Sequence, residues 1–135
     1  MAEQGLIFEP RKEKRVIVCG SRHWRDRQTI INRLRALPAD TIIVVGYDGE
    51  KKRPKGADEI TFEEATRIGL AIELYPAHWE QYGKGAGFKR NKEMAEGGAR
   101  LCLAFWDGLS TGTFDMMAQA VKRGIPVEVV HEVVP

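Results

Sequence analysis

The chain has 135 residues and a formal net charge of +2, the size of one ordinary domain with no room for a second. Apolar residues make up 43%, enough for a packed core and too many for a globally disordered chain. The charge excess falls short of the strong basic stripe that marks a DNA-binding module.

Residues 1–14 are polar and charged and read as a flexible arm, leaving 15–135 as a single domain. Residues 15–19 form an apolar strand that stops at Gly20. Ile30, Ile31, Leu34 and Leu37 recur at helical spacing over 26–37, with Asp26 as N-cap and Pro38 as the stop. Residues 41–45 are β-branched throughout and make a second strand, closed by Gly46. A loop follows over 47–56, with a basic run at 51–55. Residues 57–69 read as a helix that Gly69 ends. Residues 70–75 are a third strand, halted by Pro76, and 76–87 a long loop with His78, Trp79, Tyr82 and three glycines. A helix is predicted over 88–96 and a strand over 101–105. The last helix, 111–124, places Phe114, Met117, Ala118 and Val121 on one apolar face, and 126–130 is a fifth strand.

Strands alternating with helices predict an α/β, three-layer Rossmann-like domain, with a parallel sheet of about five strands and helices on both faces. Continuous apolar strands fit a sheet buried on both sides. Ligands of such sheets sit beyond the carboxyl ends of the strands. That rule points to Gly20-Ser21-Arg22 and to the segments beginning at Gly46, Pro76 and Trp106, where the polar and Gly-rich residues gather.

Cys19 and Cys102 lie in apolar runs and read as buried small residues. No C-x-x-C spacing occurs and His23, His78 and His131 do not pair at metal-ligand spacing, so no metal site and no cofactor is expected. The N-terminus lacks a signal-type apolar stretch, and no run approaches the ~20 apolar residues of a membrane span. A cytoplasmic protein without a membrane partner is the default expectation.

The leading candidate for chemistry is Asp107-Gly108-Leu109-Ser110-Thr111-Gly112-Thr113, between the fourth strand and its helix. Its glycines let backbone approach a ligand. Ser110, Thr111 and Thr113 add hydroxyls, and the helix start offers N–H groups to an anion, most often a phosphate. The competing explanation is plain helix capping by Ser110 or Thr111. In Gly20-Ser21-Arg22, Ser21 can donate to a phosphate oxygen and Arg22 can pair with it. The segment matches neither the P-loop nor G-x-G-x-x-G. A third candidate combines Lys84 with Arg90 and Asn91, placed in the first turn of their helix. A cation there opposes the helix dipole by ~0.3–1 kcal/mol, which makes sense beside a bound anion. Asp58 can reach a ribose hydroxyl, although carboxylates in a first helical turn are favourable without any ligand. Trp79 and Tyr82 can stack on a base or pack in an interface.

Taken in order, these motifs resemble the SLOG superfamily of Rossmann-like nucleotide-binding proteins, in particular its small bacterial and phage branch related to YspA and YpsA. The resemblance rests on Gly20-Ser21-Arg22, Gly56-Ala57-Asp58, Pro76-Ala77-His78-Trp79, Tyr82-Gly83-Lys84 with Ala86-Gly87, Arg90-Asn91 with Met94, and Gly112-Thr113 with Asp115-Met116, over about residues 15–130. The superfamily includes the lonely-guy phosphoribohydrolases and the DNA-processing protein A family. In the hydrolases an Arg before a helix and the Glu of P-G-G-x-G-T-x-x-E act on a nucleoside monophosphate. Arg90 matches that Arg and Gly112-Thr113 match the G-T, but Met116 stands at the Glu position and Trp106-Asp107-Gly108 at the P-G-G. Asp115 is one residue early, about 100° around the helix. The loop after the second strand, 47–55, is longer and more basic than the branch's usual G-G-A-R-G-A-D, and could add cationic contacts, close as a lid or be an exposed insertion.

The resemblance implies a nucleotide or nucleotide-derived small molecule, bound for sensing, carriage or sequestration. Phosphate would sit on Ser21, Arg22 and 108–113, with Gly46, Lys84, Arg90 and Asn91 nearby. The alternative is an N-glycosidase with Arg90 and Asp115 as its catalytic pair, and a DNA-binding role is the least favoured. Trp24, Trp79, Trp106 and Phe114 are more large aromatics near loops than a small monomer needs, so a homo-oligomer is expected.

Overall fold

The computed structural model describes residues 11–47, 49 and 55–133. Five strands, β1 (Arg15–Gly20), β2 (Ile42–Val45), β3 (Ala71–Leu74), β4 (Leu101–Phe105) and β5 (Val127–Val130), form one sheet in the order β3-β2-β1-β4-β5. Every pairing is parallel. The helices between them are α1 (Arg27–Arg35), α2 (Ala57–Ile68), the single turn α3 (Trp79–Tyr82), α4 (Ala86–Glu96) and α5 (Thr111–Lys122). The chain therefore starts in the middle of the sheet, runs out to β3, then crosses back to β4. The reversal falls between β1 and β4, where the loops diverge and leave a crevice.

Alternation along the central strands splits the core in two. Val16 and Val18 face one side, with Ile30 and Leu34 of α1, Ile60 and Ala65 of α2, and Phe105. Ile17 and Cys19 face the other, with Met94 of α4 and Met116, Met117 and Ala120 of α5. The three-layer α/β architecture expected from the alternation is thus the observed one. Local punctuation also acts as read: Asp26 accepts the amide of Thr29 at 3.1 Å, and Gly69 ends α2 in the left-handed conformation at φ +96°. Among the described residues, no helix is long and apolar enough to cross a membrane.

Four local readings need correction. Residues 11–14, read as part of a loose arm, are tied down: Lys12–Lys14 form a 3-10 turn, and Arg11 and Arg15 both pair with Glu73 of β3. Arg15 is buried and also donates to the Gly98 carbonyl at 2.7 Å, so its charge is met from two sides. Residues 1–10 and the basic positions 51–54 lie outside the described residues.

Secondly, α4 begins at Ala86, two residues before the predicted start. Buried Ala86 and a 3-10 turn at Gly83–Gly85 carry the chain straight into the helix. Arg90 is therefore its fifth residue, beyond the first turn where the dipole penalty acts. Thirdly, α5 buries Thr113, Met116, Met117 and Ala120, while Phe114, Ala118 and Val121 face solvent. The helix carries two apolar stripes, and its bonds to the neighbouring loop and helix select which one turns inward. Lastly, Trp24 is fully buried, edge-on to Phe105 at 5.3 Å, and takes no part in the surface.

Candidate functional site

A cleft of about 530 Å³ opens at the carboxyl ends of β1, β2 and β4. That is the size range of small-molecule sites. Its floor is Val18, Cys19 and Gly20 of β1, and its walls are the β1–α1 loop, the start of α2, the inner face of α4 and the 107–113 loop with the start of α5.

Two close approaches bring the walls together. A Cβ on Gly20 would lie 2.5 Å from the Ala57 Cβ, and one on Gly56 would lie 2.8 Å from the Arg22 Cα. Bare glycine at both positions lets α2 begin directly against β1 and its loop. The amide of Ala57 donates to the Ser21 carbonyl at 3.0 Å, which fixes that contact.

Most of the hydrogen-bonding capacity of the 107–113 loop serves the loop itself. Asp107 accepts the amides of Leu109 (2.8 Å) and Ser110 (2.9 Å) on one oxygen. Its other oxygen accepts the Ser21 hydroxyl at 2.7 Å. Ser110 is the N-cap of α5: its hydroxyl accepts the Thr113 amide at 3.3 Å and lies 3.0 Å from the Thr113 hydroxyl. Ser21, Asp107, Ser110 and Thr113 thus build the loop, with Ser21 joining it to β1 across the switch point. Among the described residues, the amides of Thr111 and Gly112, in the first turn of α5, remain for a ligand. That turn contains no acidic residue.

The Leu109 amide, the Ser21 hydroxyl and the Ser110 amide, in that order of weight, hold the Asp107 carboxyl below its ordinary range. A depressed value means that this contribution to stability is complete above the unfolded-state value and is lost as pH falls through the folded one. In an NMR titration, Asp107 should titrate below the ordinary aspartate value of 3.8. The amide signals of Leu109 and Ser110 should shift with it, and in Asp107→Asn that acid-range transition should disappear. A normal Asp107 midpoint would contradict the capping role.

Arg90 works at the opposite wall. One guanidinium nitrogen donates to the carbonyls of Gly46 (2.7 Å) and Tyr75 (3.3 Å), and Nε donates to Asn91. It thereby ties the ends of β2 and β3 to α4, and the absent side chain of Gly46 makes room for it. Asn91 is buried and donates to the Gly112 carbonyl (3.1 Å) and to Asp115 (3.0 Å), locking α4 to the start of α5.

Of the predicted site residues, Gly20, Ser21, Arg22, Gly46, Asp58, Arg90 and Asn91 line the cleft, as do Asp107, Ser110, Thr111, Gly112 and Thr113. Lys84, Gly108 and Asp115 lie outside the lining. Lys84 is exposed on the 3-10 turn, Gly108 is exposed and left-handed at φ +82°, and Asp115 faces α4. Met116 is fully buried in the core on the α4/α5 side of the sheet. Trp79 is at the cleft, whereas Tyr82 lies beyond it under the Lys89 ammonium, 5.0 Å from the ring centre.

Sequence reasoning did not place Cys19, His23 or Tyr47 at the site, although all three line the cleft. Each immediately precedes or follows a loop residue already singled out, so extending those loops by one residue would have found them. The neighbouring Cys102 thiol and then burial push the Cys19 thiol up, so it stays protonated and gives the cleft a neutral floor.

Fold and cleft together define a Rossmann-like α/β protein with a ligand-sized crevice at the topological switch point. The chain is 39% identical over 123 residues to the Gene 61 protein of Mycobacterium phage D29, covering 84% of this chain and 94% of that protein, and it belongs to the same family. No protein-family model matches the chain.

Proposed function

We propose that the cleft binds a nucleotide or nucleotide-derived small molecule through its phosphate. The observation that carries this is the pairing of two helix N-termini across one cleft. The α2 end holds its own carboxylates, Asp58 and Glu59, in the first turn, whereas the α5 end has none and leaves two amides uncommitted. A phosphate is favoured at the α5 end and repelled at the α2 end. Exposed Arg22 lies on the same cleft and supplies a mobile cation for it. Asp58 suits ribose hydroxyls, and Trp79, 48% exposed, offers a ring to a base. Binding without turnover is the better-supported mode, because Asp115 is bonded to Asn91 outside the lining and Met116 is core.

Native mass spectrometry of protein purified from cells should reveal a co-purifying nucleotide. Calorimetry with a panel of nucleoside monophosphates and the matching nucleosides should show preference for the phosphorylated members. Arg22→Ala should weaken that binding by about 10- to 100-fold, the range of one lost charge-assisted contact. Equal binding of nucleoside and nucleotide would remove the phosphate assignment. Release of free base on incubation would replace binding by hydrolysis.

A further inference from the structure

We propose that Trp106 is a positioning residue of the cleft: its indole N–H holds the Ser110–Thr111 peptide so that the Thr111 amide is presented to a bound phosphate. This inference rests on the phosphate reading of the cleft. Trp106 is not part of the cleft lining, whereas Ser110 and Thr111 are. Its Nε1 donates to the Ser110 carbonyl at 3.0 Å. That carbonyl and the Thr111 N–H are the two ends of one peptide group. The group is planar and trans, so they point in opposite directions and fixing one fixes the other.

The Ser110 carbonyl is held twice. The Phe114 amide donates to it at 3.1 Å, as the first bond of the α5 ladder. The Trp106 indole takes the second lone pair, from the side of the β4–α5 loop. Ser110 is the N-cap and has extended backbone (φ −62°, ψ 116°), so helical geometry does not by itself set the orientation of its peptide. A helix end held by a single bond frays; the indole adds a second restraint at the residue where it is needed. A carbonyl that accepts two bonds also polarises its own peptide and makes the N–H at the other end a stronger donor. The next-but-one peptide is used differently. The Gly112 carbonyl accepts Asn91 and the Thr113 amide donates to Ser110, so that group is committed at both ends. The Ser110–Thr111 group is committed only at its oxygen, which leaves its N–H oriented and available.

Trp106 is itself anchored to the sheet. Its backbone amide donates to the Val130 carbonyl at the end of β5, at 3.2 Å. Its half-buried ring packs against the core on the α4/α5 side and lies 6.1 Å from Phe114, tilted by 35°. Indole has one donor and no acceptor, and the Ser110 carbonyl uses that donor. Restraint therefore passes from the sheet, through the indole, to the amide that faces the cleft, and Trp106 acts through Thr111 without touching the ligand.

NMR titration of the full chain with inorganic phosphate tests this. In wild type, the Thr111 and Gly112 amide signals should move most and report one dissociation constant. Trp106→Phe keeps a ring beside Phe114 and removes the donor. It should raise that constant about 3- to 10-fold, the effect of one neutral hydrogen bond, while the Leu109 and Ser110 amides remain bonded to Asp107. A second variant with 3-benzothienylalanine in place of Trp106 keeps the outline of the indole, removes only its N–H and should weaken binding equally. Ile30→Val trims the core on the far side of the sheet, costs stability without touching this loop and should bind phosphate as wild type. Wild-type affinity in both Trp106 variants, or an equal loss in Ile30→Val, would overturn the proposal and leave the phosphate reading standing. A wild type whose Thr111 and Gly112 amides ignore phosphate would overturn that reading and the proposal with it.

Discussion

Trp24→Ala should destabilise the protein by about 3–5 kcal/mol, the usual range for deleting a fully buried large aromatic. The indole is completely buried, its ring meets Phe105 edge-on at 5.3 Å, and its Nε1 donates to the Asp26 carbonyl at 2.9 Å. Alanine leaves a cavity between the β1–α1 loop and β4 and removes the donor for that carbonyl. A domain of this size has about 5–15 kcal/mol in total, so the midpoint should fall by roughly 10–20 °C. Trp24→Phe keeps most of the ring and should lose less than half as much. Thermal melts followed by circular dichroism decide the matter. A loss below about 1 kcal/mol for alanine would mean that the indole does not anchor this layer. The same variant should loosen the loop that carries Arg22 to the cleft, since the buried Trp24 anchors that loop from within.

Gly20→Ala should cost about 1–3 kcal/mol through overpacking, with the upper end expected. The new methyl would lie 2.5 Å from the Ala57 Cβ and 2.6 Å from the Phe105 carbonyl oxygen. Both belong to rigid elements, so α2 must move off β1. Gly46→Ala provides the contrast. Its methyl would lie 2.4 Å from an Arg90 guanidinium nitrogen, the tip of a flexible side chain. The side chain can swing away, and the expected loss is about 1 kcal/mol for the broken bond to the Gly46 carbonyl. Urea denaturation of both variants tests the difference. Equal losses would show that the Gly20 contact relaxes as easily as the Gly46 one.

Much of this was legible in the chain. Each strand was a short apolar run ended by Gly, Pro or a polar turn, and those signals act locally. The position of the cleft was also legible, because a parallel sheet with helical crossovers puts its loops at the carboxyl ends of its strands. Ser110 as a cap was visible too, as the alternative to a phosphate role, and the structure shows the cap. The commitment of Ser21 was not visible. Its partner, Asp107, is 86 residues away, and only the pairing of β1 with β4 brings them together.

The rotation of α5 was ambiguous for a similar reason. Phe114, Ala118 and Val121 satisfy helical spacing as well as Met116, Met117 and Ala120 do, and periodicity alone cannot rank two apolar stripes. The Ser110 cap and the contacts of Asn91 with Gly112 and Asp115 choose between them.

What the sequence by itself determined is the order and type of the elements, hence the α/β class and the end of the sheet where the cleft opens. Helix and strand periods, caps and breakers act over a few residues and need no distant partner. The tertiary structure alone decided which polar atoms stay available at that end, and which apolar stripe is left outside. Hydrogen bonds and buried area are exclusive: an atom or a face taken by a neighbour remote in sequence is lost to any ligand, and no local pattern records which neighbour takes it.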